Sequence, residues 1–179
     1  LVHQVMGDLG QPYLIVPTGV SPHSYAMRPS QARTLQNADI VFWVGRDLTV
    51  GLARAIKALA TNAVSVSLID VPGITLLPFR HGTTFEAHDH NNGTDPHVWL
   101  DPENARVWLE VIAAELAKLD PDNASSYLHR ARVGKDAMTE LIHHLSGQLA
   151  GIRGRPFVVF HDAYQYFEHR FSMKAAGSI

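Results

Sequence analysis

Cysteine is absent from this 179-residue chain. No disulfide framework can staple it, and any metal site must be built from nitrogen and oxygen donors. Thiolate zinc fingers are thereby excluded. Charge is also sparse: charged residues make up 18% and the formal net charge is −2 with histidine neutral. That balance offers no basic footprint for nucleic acid and no polybasic membrane patch. No apolar run approaches the roughly 18 residues that a membrane-spanning helix needs. The chain holds no H-E-x-x-H helix, no G-x-S-x-G elbow and no G-x-x-x-x-G-K-[ST] phosphate loop, the signatures of zinc proteases, serine hydrolases and phosphate-loop enzymes.

What the chain has in excess is histidine, eleven residues in all. Apolar content is 46%, which is ordinary for a globular protein and argues against disorder or a fibrous repeat. The start, "LVHQVMGDLG", reads as the inside of a helix and lacks a basic region with a cleavage site. The end, "KAAGSI", reads as mid-domain. The sequence is therefore expected to be a fragment trimmed at both ends, with any export signal upstream.

Four short apolar runs read as buried strands: 13–17 (YLIVP), 39–45 (DIVFWVG), 64–70 (VSVSLID) and 156–160 (PFVVF). They are rich in β-formers and nearly continuous, the pattern of parallel sheets. Helical stretches lie between them at 30–38, with Ser30 as N-cap, and at 47–60. The alternation predicts an α/β fold of βαβ units. Residues 71–96 are interrupted and polar, and predict a mobile surface loop. A helix over 101–119 is signalled by Asp101 as N-cap and Pro102 at the first helical position. Another begins at "DPDNA" (120–124) and runs to about Ala150, with Gly134 and Gly147 as possible breaks. The expected division is a first lobe over 1–119, a long linker helix over 120–150 and the start of a second lobe over 151–179.

Three histidines share a setting. His23 follows the first expected strand, His97 precedes a capped helix, and His161 comes directly after the strand of the second lobe. In open parallel sheets ligands bind beyond the carboxyl ends of strands, where His23 and His161 would project and which His97 can reach. Each alone reads equally well as a solvated loop histidine. Together they can converge on an ion, and Zn²⁺ takes imidazole nitrogen at about 2.0–2.1 Å. The intervals between them match no local ligand motif, so convergence has to come from the fold.

The flanking residues carry a resemblance. The blocks 19–45 (GVSPHSYAMRPSQARTLQNADIVFWVG), 95–105 (DPHVWLDPENA) and 157–171 (FVVFHDAYQYFEHRF) closely resemble the ZnuA-like periplasmic zinc-binding proteins of ABC transporters, in the metal-binding solute-binding family. The resemblance implies two Rossmann-like lobes with parallel sheets joined by a long helix. The first lobe would be nearly complete here and only the start of the second present. It implies Zn²⁺ as the bound ion, delivery to the membrane permease of an ABC transporter, and a periplasmic location. It aligns His23, His97 and His161 with the family's three metal histidines. Some zinc-binding members carry Glu immediately before the first of these, where this sequence has Pro22, so the fourth ligand stays open between a carboxylate and water. Zinc-specific members also carry a His-rich loop where this chain has His81, His88 and His90, an accessory low-affinity metal loop by composition.

Remaining candidates read as ordinary surface or core. Glu140 with His143 makes a single Glu-x-x-His, whereas a carboxylate di-iron bundle needs that motif on two helices. His144 shares that solvated face, and His3, His129 and His169 lack ligand-like partners. Tyr164, Tyr166, Phe167 and Phe171 read as core packing. Asp162 is expected to cap the helix after His161, with Gln165 completing a capping box, or to accept an imidazole N–H from outside the coordination sphere.

The leading expectation is a monomeric, non-enzymatic binding protein that captures zinc and delivers it, without nucleic acid as partner. Affinity should fall as pH drops through the ordinary histidine range near about 6.5, because protonated imidazoles do not bind metal. Imidazole donors favour zinc over manganese, and a manganese-binding member of the same family is the alternative. A zinc hydrolase would need an open coordination position and a general base. An adhesin-like protein on the same scaffold leaves no local signature.

Overall fold

In chain order the elements are helices α1 (Val2–Met6) and α2 (Pro29–Gln36), strand β1 (Ile40–Trp43), helix α3 (Val50–Leu59), strand β2 (Val64–Ser67), helices α4 (Pro102–Leu119) and α5 (Ala124–Leu149), strand β3 (Phe157–Val159), helix α6 (Gln165–Phe171) and strand β4 (Ala175–Ser178). The computed structural model describes residues 1–80, 85 and 93–179. Strands β1 and β2 pair in parallel, Ile40 opposite Val64 through Trp43 opposite Ser67. Strands β3 and β4 form a second parallel pair with a register shift between Phe157 and Val158. Each pair is one βαβ unit, with α3 or α6 as the crossover that parallel strands require. The α/β class with parallel sheets is as expected.

The main core gathers around α4. Trp108, Leu109, Ile112, Ala113 and Leu116 fall on one stripe of that helix and are almost wholly buried, each large side chain contributing about 1.5–3 kcal/mol. Asp101 caps the helix by accepting from the Glu103 N–H at 2.9 Å, and Pro102 begins it, as expected. The Trp108 indole N–H donates to the Leu68 carbonyl at 2.8 Å, which fixes α4 to the end of β2.

Helix α5 packs on α4 through Tyr127, Ala131 and Gly134. It runs unbroken for 26 residues, roughly 40 Å at about 1.5 Å per residue. Gly134 does not break it because tight packing accounts for that glycine: a Cβ there would lie 3.0 Å from Leu109 Cδ1 and 2.9 Å from the Gln4 amide. Tyr166 of α6 belongs to the same core, so the segment after α5 docks directly on the first sheet's helices.

Several local expectations are corrected. Residues 13–17 form no strand, and the chain bends at Ile15 and Val16. Residues of this segment and Ile40 through Val44 line one cavity of about 730 Å³. The Ile15 carbonyl is taken by side chains instead of a ladder partner. Helix α2 starts at Pro29, so Ser30 lies inside it. Gln31 Oε1 accepts the Arg28 N–H at 2.9 Å and performs the capping. Within 71–96, the described residues include buried Phe79 and Asp95, with Ile74 and Leu77 against the core. Apolar residues at those positions anchor the segment, so it is no free surface loop there. Asp162 caps nothing: α6 begins at Gln165 with Tyr164 at the N-cap position, and the Asp162 carboxylate is drawn to Arg80. Strand β4 was not foreseen, because "AAGS" carries no β-former.

Candidate metal centre

His23 sits on a 3-10 turn, Pro22–Ser24, in which Pro22 pre-sets the first φ. The turn is held from behind. The Tyr25 hydroxyl is shared between the Ile15 carbonyl at 2.9 Å and Gln31 Oε1 at 2.7 Å, while Gln31 Nε2 donates to the same carbonyl at 2.9 Å. His97 occupies the N-cap position of the turn Val98–Leu100 that leads into α4. His161 follows β3, and its carbonyl accepts the Ala163 N–H at 2.8 Å.

The fold brings these three rings together. One ligand nitrogen from each of His23, His97 and His161 lies within 4.8 Å of the others, and the ring centroids are 5.2–5.6 Å apart. Nε2 of His23 is 3.2 Å from Nε2 of His97. Two imidazole nitrogens on one tetrahedral zinc, each about 2.05 Å from the ion, would stand about 3.3 Å apart. The observed separation therefore suits a shared ion with little rearrangement. The cluster is graded in exposure, with His97 buried, His161 intermediate and His23 open to solvent, so an ion has a way in.

One residue that the sequence reading missed orients the cluster. Asp95, 3% exposed, accepts both the His97 backbone N–H at 2.9 Å and its ring Nδ1 at 2.7 Å. A carboxylate only accepts, so Nδ1 carries the proton and Nε2 presents its lone pair toward His23. This is the carboxylate–histidine arrangement that fixes tautomer and raises ligand basicity in metal sites. The Asp-x-His spacing in "DPH" was a usable signal. Trp99, 38% exposed, lies against the same ring at 5.3 Å between centroids.

Other sequence candidates do not join the group that could hold an ion. Asp162 hydrogen-bonds Arg80. His3, His129, His143, His144 and His169 are exposed, and among the described residues only His23, His97 and His161 gather closely enough to hold a metal ion. His81, His88 and His90 lie outside the described residues. Tyr166 and Phe171 are buried, as expected of core packing, whereas Tyr164 is exposed.

The high-affinity zinc uptake system protein ZnuA of Paracoccus denitrificans is 39% identical over 98% of this chain and 62% of its own length. Its counterpart from Brucella abortus (strain 2308) is 36% identical over the whole chain and 64% of its own length. The chain thus spans less than two thirds of either relative. Among solved structures, a zinc-bound ZnuA deletion mutant superposes with a TM-score of 0.84 at 26% identity, covering 99% of this chain and 66% of that one. A family model described as zinc-uptake complex component A, periplasmic, matches residues 1–179. With sequence, fold and family model in accord along its whole length, the chain belongs to the ZnuA family.

Proposed function

We propose that this chain is the metal-capturing part of a periplasmic zinc-binding protein, holding Zn²⁺ between His23, His97 and His161 and delivering it to the permease of an ABC-type transporter. The observation that carries the reading is the 3.2 Å approach of the His23 and His97 Nε2 atoms, with His97 locked by Asp95 and His161 beside them. The zinc-uptake role of its relatives supports it. Three neutral imidazoles give a nitrogen-rich site that suits zinc, and an oxygen donor, water or carboxylate, completes the tetrahedron. The ion is cargo, and the chemistry is ligation without any bond made or broken in a substrate. We further propose that the protein acts as a monomer, with the first sheet and α4 in one lobe, α5 as the connecting helix and β3–β4 opening the second lobe.

Chelator competition tests this. The protein should bind Zn²⁺ more tightly than Mn²⁺, and His97→Ala should lose most of its zinc affinity. Mn²⁺ winning at equal concentration would convert the reading to the manganese member. Zinc-dependent ester hydrolysis lost in His97→Ala would replace it with a hydrolase.

A further inference from the structure

Arg80 is not part of the histidine cluster, yet it joins the segments that carry His97 and His161. Residues 77–80 and 93–95 run antiparallel as a narrow neck. The Phe79 N–H donates to the Gly93 carbonyl at 3.2 Å and the Asp95 N–H to the Leu77 carbonyl at 2.9 Å, with Pro78 bridged to Thr94. Helix α6 docks on this neck. The Tyr166 hydroxyl accepts the Leu77 N–H at 2.9 Å and donates to the Asp95 carbonyl at 2.8 Å, and Gln165 Nε2 donates to the Pro78 carbonyl at 2.8 Å.

Arg80 closes the arrangement. Its Nε donates to Asp162 Oδ1 at 3.1 Å, Nη1 to Glu168 Oε2 at 2.9 Å and Nη2 to Glu168 Oε1 at 2.9 Å, and Nη2 also pairs with Asp162. Both carboxylates are nearly sealed from solvent, with side chains 3% and 5% exposed. Glu168 Oε2 further accepts the Ala175 N–H at 2.7 Å, which reaches β4. Two carboxylates buried this deeply need a cation, and only a planar fork of donors satisfies both at once. Burial works against the Arg80 charge, and the hydrogen bonds that Arg80 donates to Glu168 and Asp162 outweigh it, so its pKa is raised.

The ends of this bridge sit beside the ligands. Asp162 is the neighbour of His161 in the chain, and Asp95 holds the ring of His97. Metal–ligand distances in a formed site lie within about 0.2 Å of their ideal values, so the placement of the loop carrying His161 and Asp162 bears directly on ligation. We propose that Arg80 is a positioning residue for the metal centre: its fork on Asp162 and Glu168 fixes the His161 loop against the neck bearing Asp95, keeping the His161 imidazole beside the other two before the ion arrives. The inference rests on the zinc-site reading above.

The deciding variant is Arg80→Lys. It preserves the charge, and with it the long-range field at the ion, but an ammonium is a point charge that cannot fork across two carboxylates. Zinc Kd by chelator competition, the Co²⁺ ligand-field spectrum and the melting temperature of the metal-free protein are measured for wild type, Arg80→Lys, Arg80→Gln and Asp162→Asn. The expected result is a zinc Kd raised about tenfold or more in Arg80→Lys, at a temperature where the metal-free variant is folded, with a weakened tetrahedral Co²⁺ band. Asp162→Asn, which keeps the Arg80–Glu168 bonds and hence the fold, should show a smaller loss in the same direction. A Kd within about twofold of wild type in both, whatever the melting temperatures, would overturn the proposal and leave Arg80 a folding element. If wild type fails to bind zinc, or His97→Ala binds as well as wild type, the zinc-site reading itself falls and this proposal with it.

Discussion

Asp95 and His97, two residues apart, form a closed pair in which one carboxylate oxygen accepts both the backbone N–H and the ring N–H of the same histidine. The pair decides which nitrogen of His97 faces the centre. Asp95→Ala should therefore weaken zinc binding by about 10–100-fold, measured by chelator competition, while His97 remains in place. Wild-type affinity in this variant would mean that the tautomer is set by something else.

Trp99 offers an optical report of the same ring, since it lies 5.3 Å from His97 between centroids. Zinc should change the tryptophan emission of the wild type. Trp99→Phe should abolish most of that change, with zinc affinity kept within about threefold. If the signal survives in Trp99→Phe, it comes from Trp43 or Trp108 and the ring near the centre is not the reporter.

Tyr166 is a buried hinge pin between α6 and the 77–95 neck, and burial pushes its hydroxyl up to about 12 from 10.0. Near neutral pH, Tyr166→Phe should cost about 1–3 kcal/mol, because the Leu77 N–H and the Asp95 carbonyl lose their partner. The sign with pH follows from the raised value. The hydroxyl's contribution is fully present below the unfolded value of about 10 and is lost as pH rises toward about 12. Urea denaturation across that window should show the wild type losing its advantage over Tyr166→Phe. A constant difference would contradict the assignment.

Asp101 holds two helices at once. It caps α4 and accepts Arg170 Nε and Nη2, each at 2.7 Å, from α6. Asp101→Ala should destabilise the protein by about 2–4 kcal/mol, combining a lost cap with lost charge-assisted hydrogen bonds. Denaturant titration checks this, and a change below about 0.5 kcal/mol would place the helix start elsewhere.

Local chemistry was legible in the sequence and long-range pairing was not. Asp101–Pro102 announced α4 because capping is read within four residues, and the β-branched runs at 40–43 and 64–67 announced a parallel pair. The run at 13–17 had equal β character, but strand formation depends on a ladder partner, and here the Ile15 carbonyl is taken by the Tyr25 and Gln31 side chains. Strand β4 was invisible because its pairing with β3 and the buried Glu168–Ala175 bond, not propensity, hold "AAGS" extended. His23, His97 and His161 were singled out by their loop settings and by the resemblance of their flanking blocks. Asp95 was overlooked although its spacing from His97 was in plain view. Arg80 carried no signal at all, since its partners are 82 and 88 residues away.

The central claim is that one ion sits at the meeting point of the three imidazoles. A crystal soaked with zinc, with an anomalous difference map collected at the zinc edge, tests it most directly. A single strong peak is predicted about 2.0–2.1 Å from Nε2 of His23, Nε2 of His97 and a ring nitrogen of His161. A peak elsewhere, or one of the three rings turned out of reach of the peak, would contradict the account.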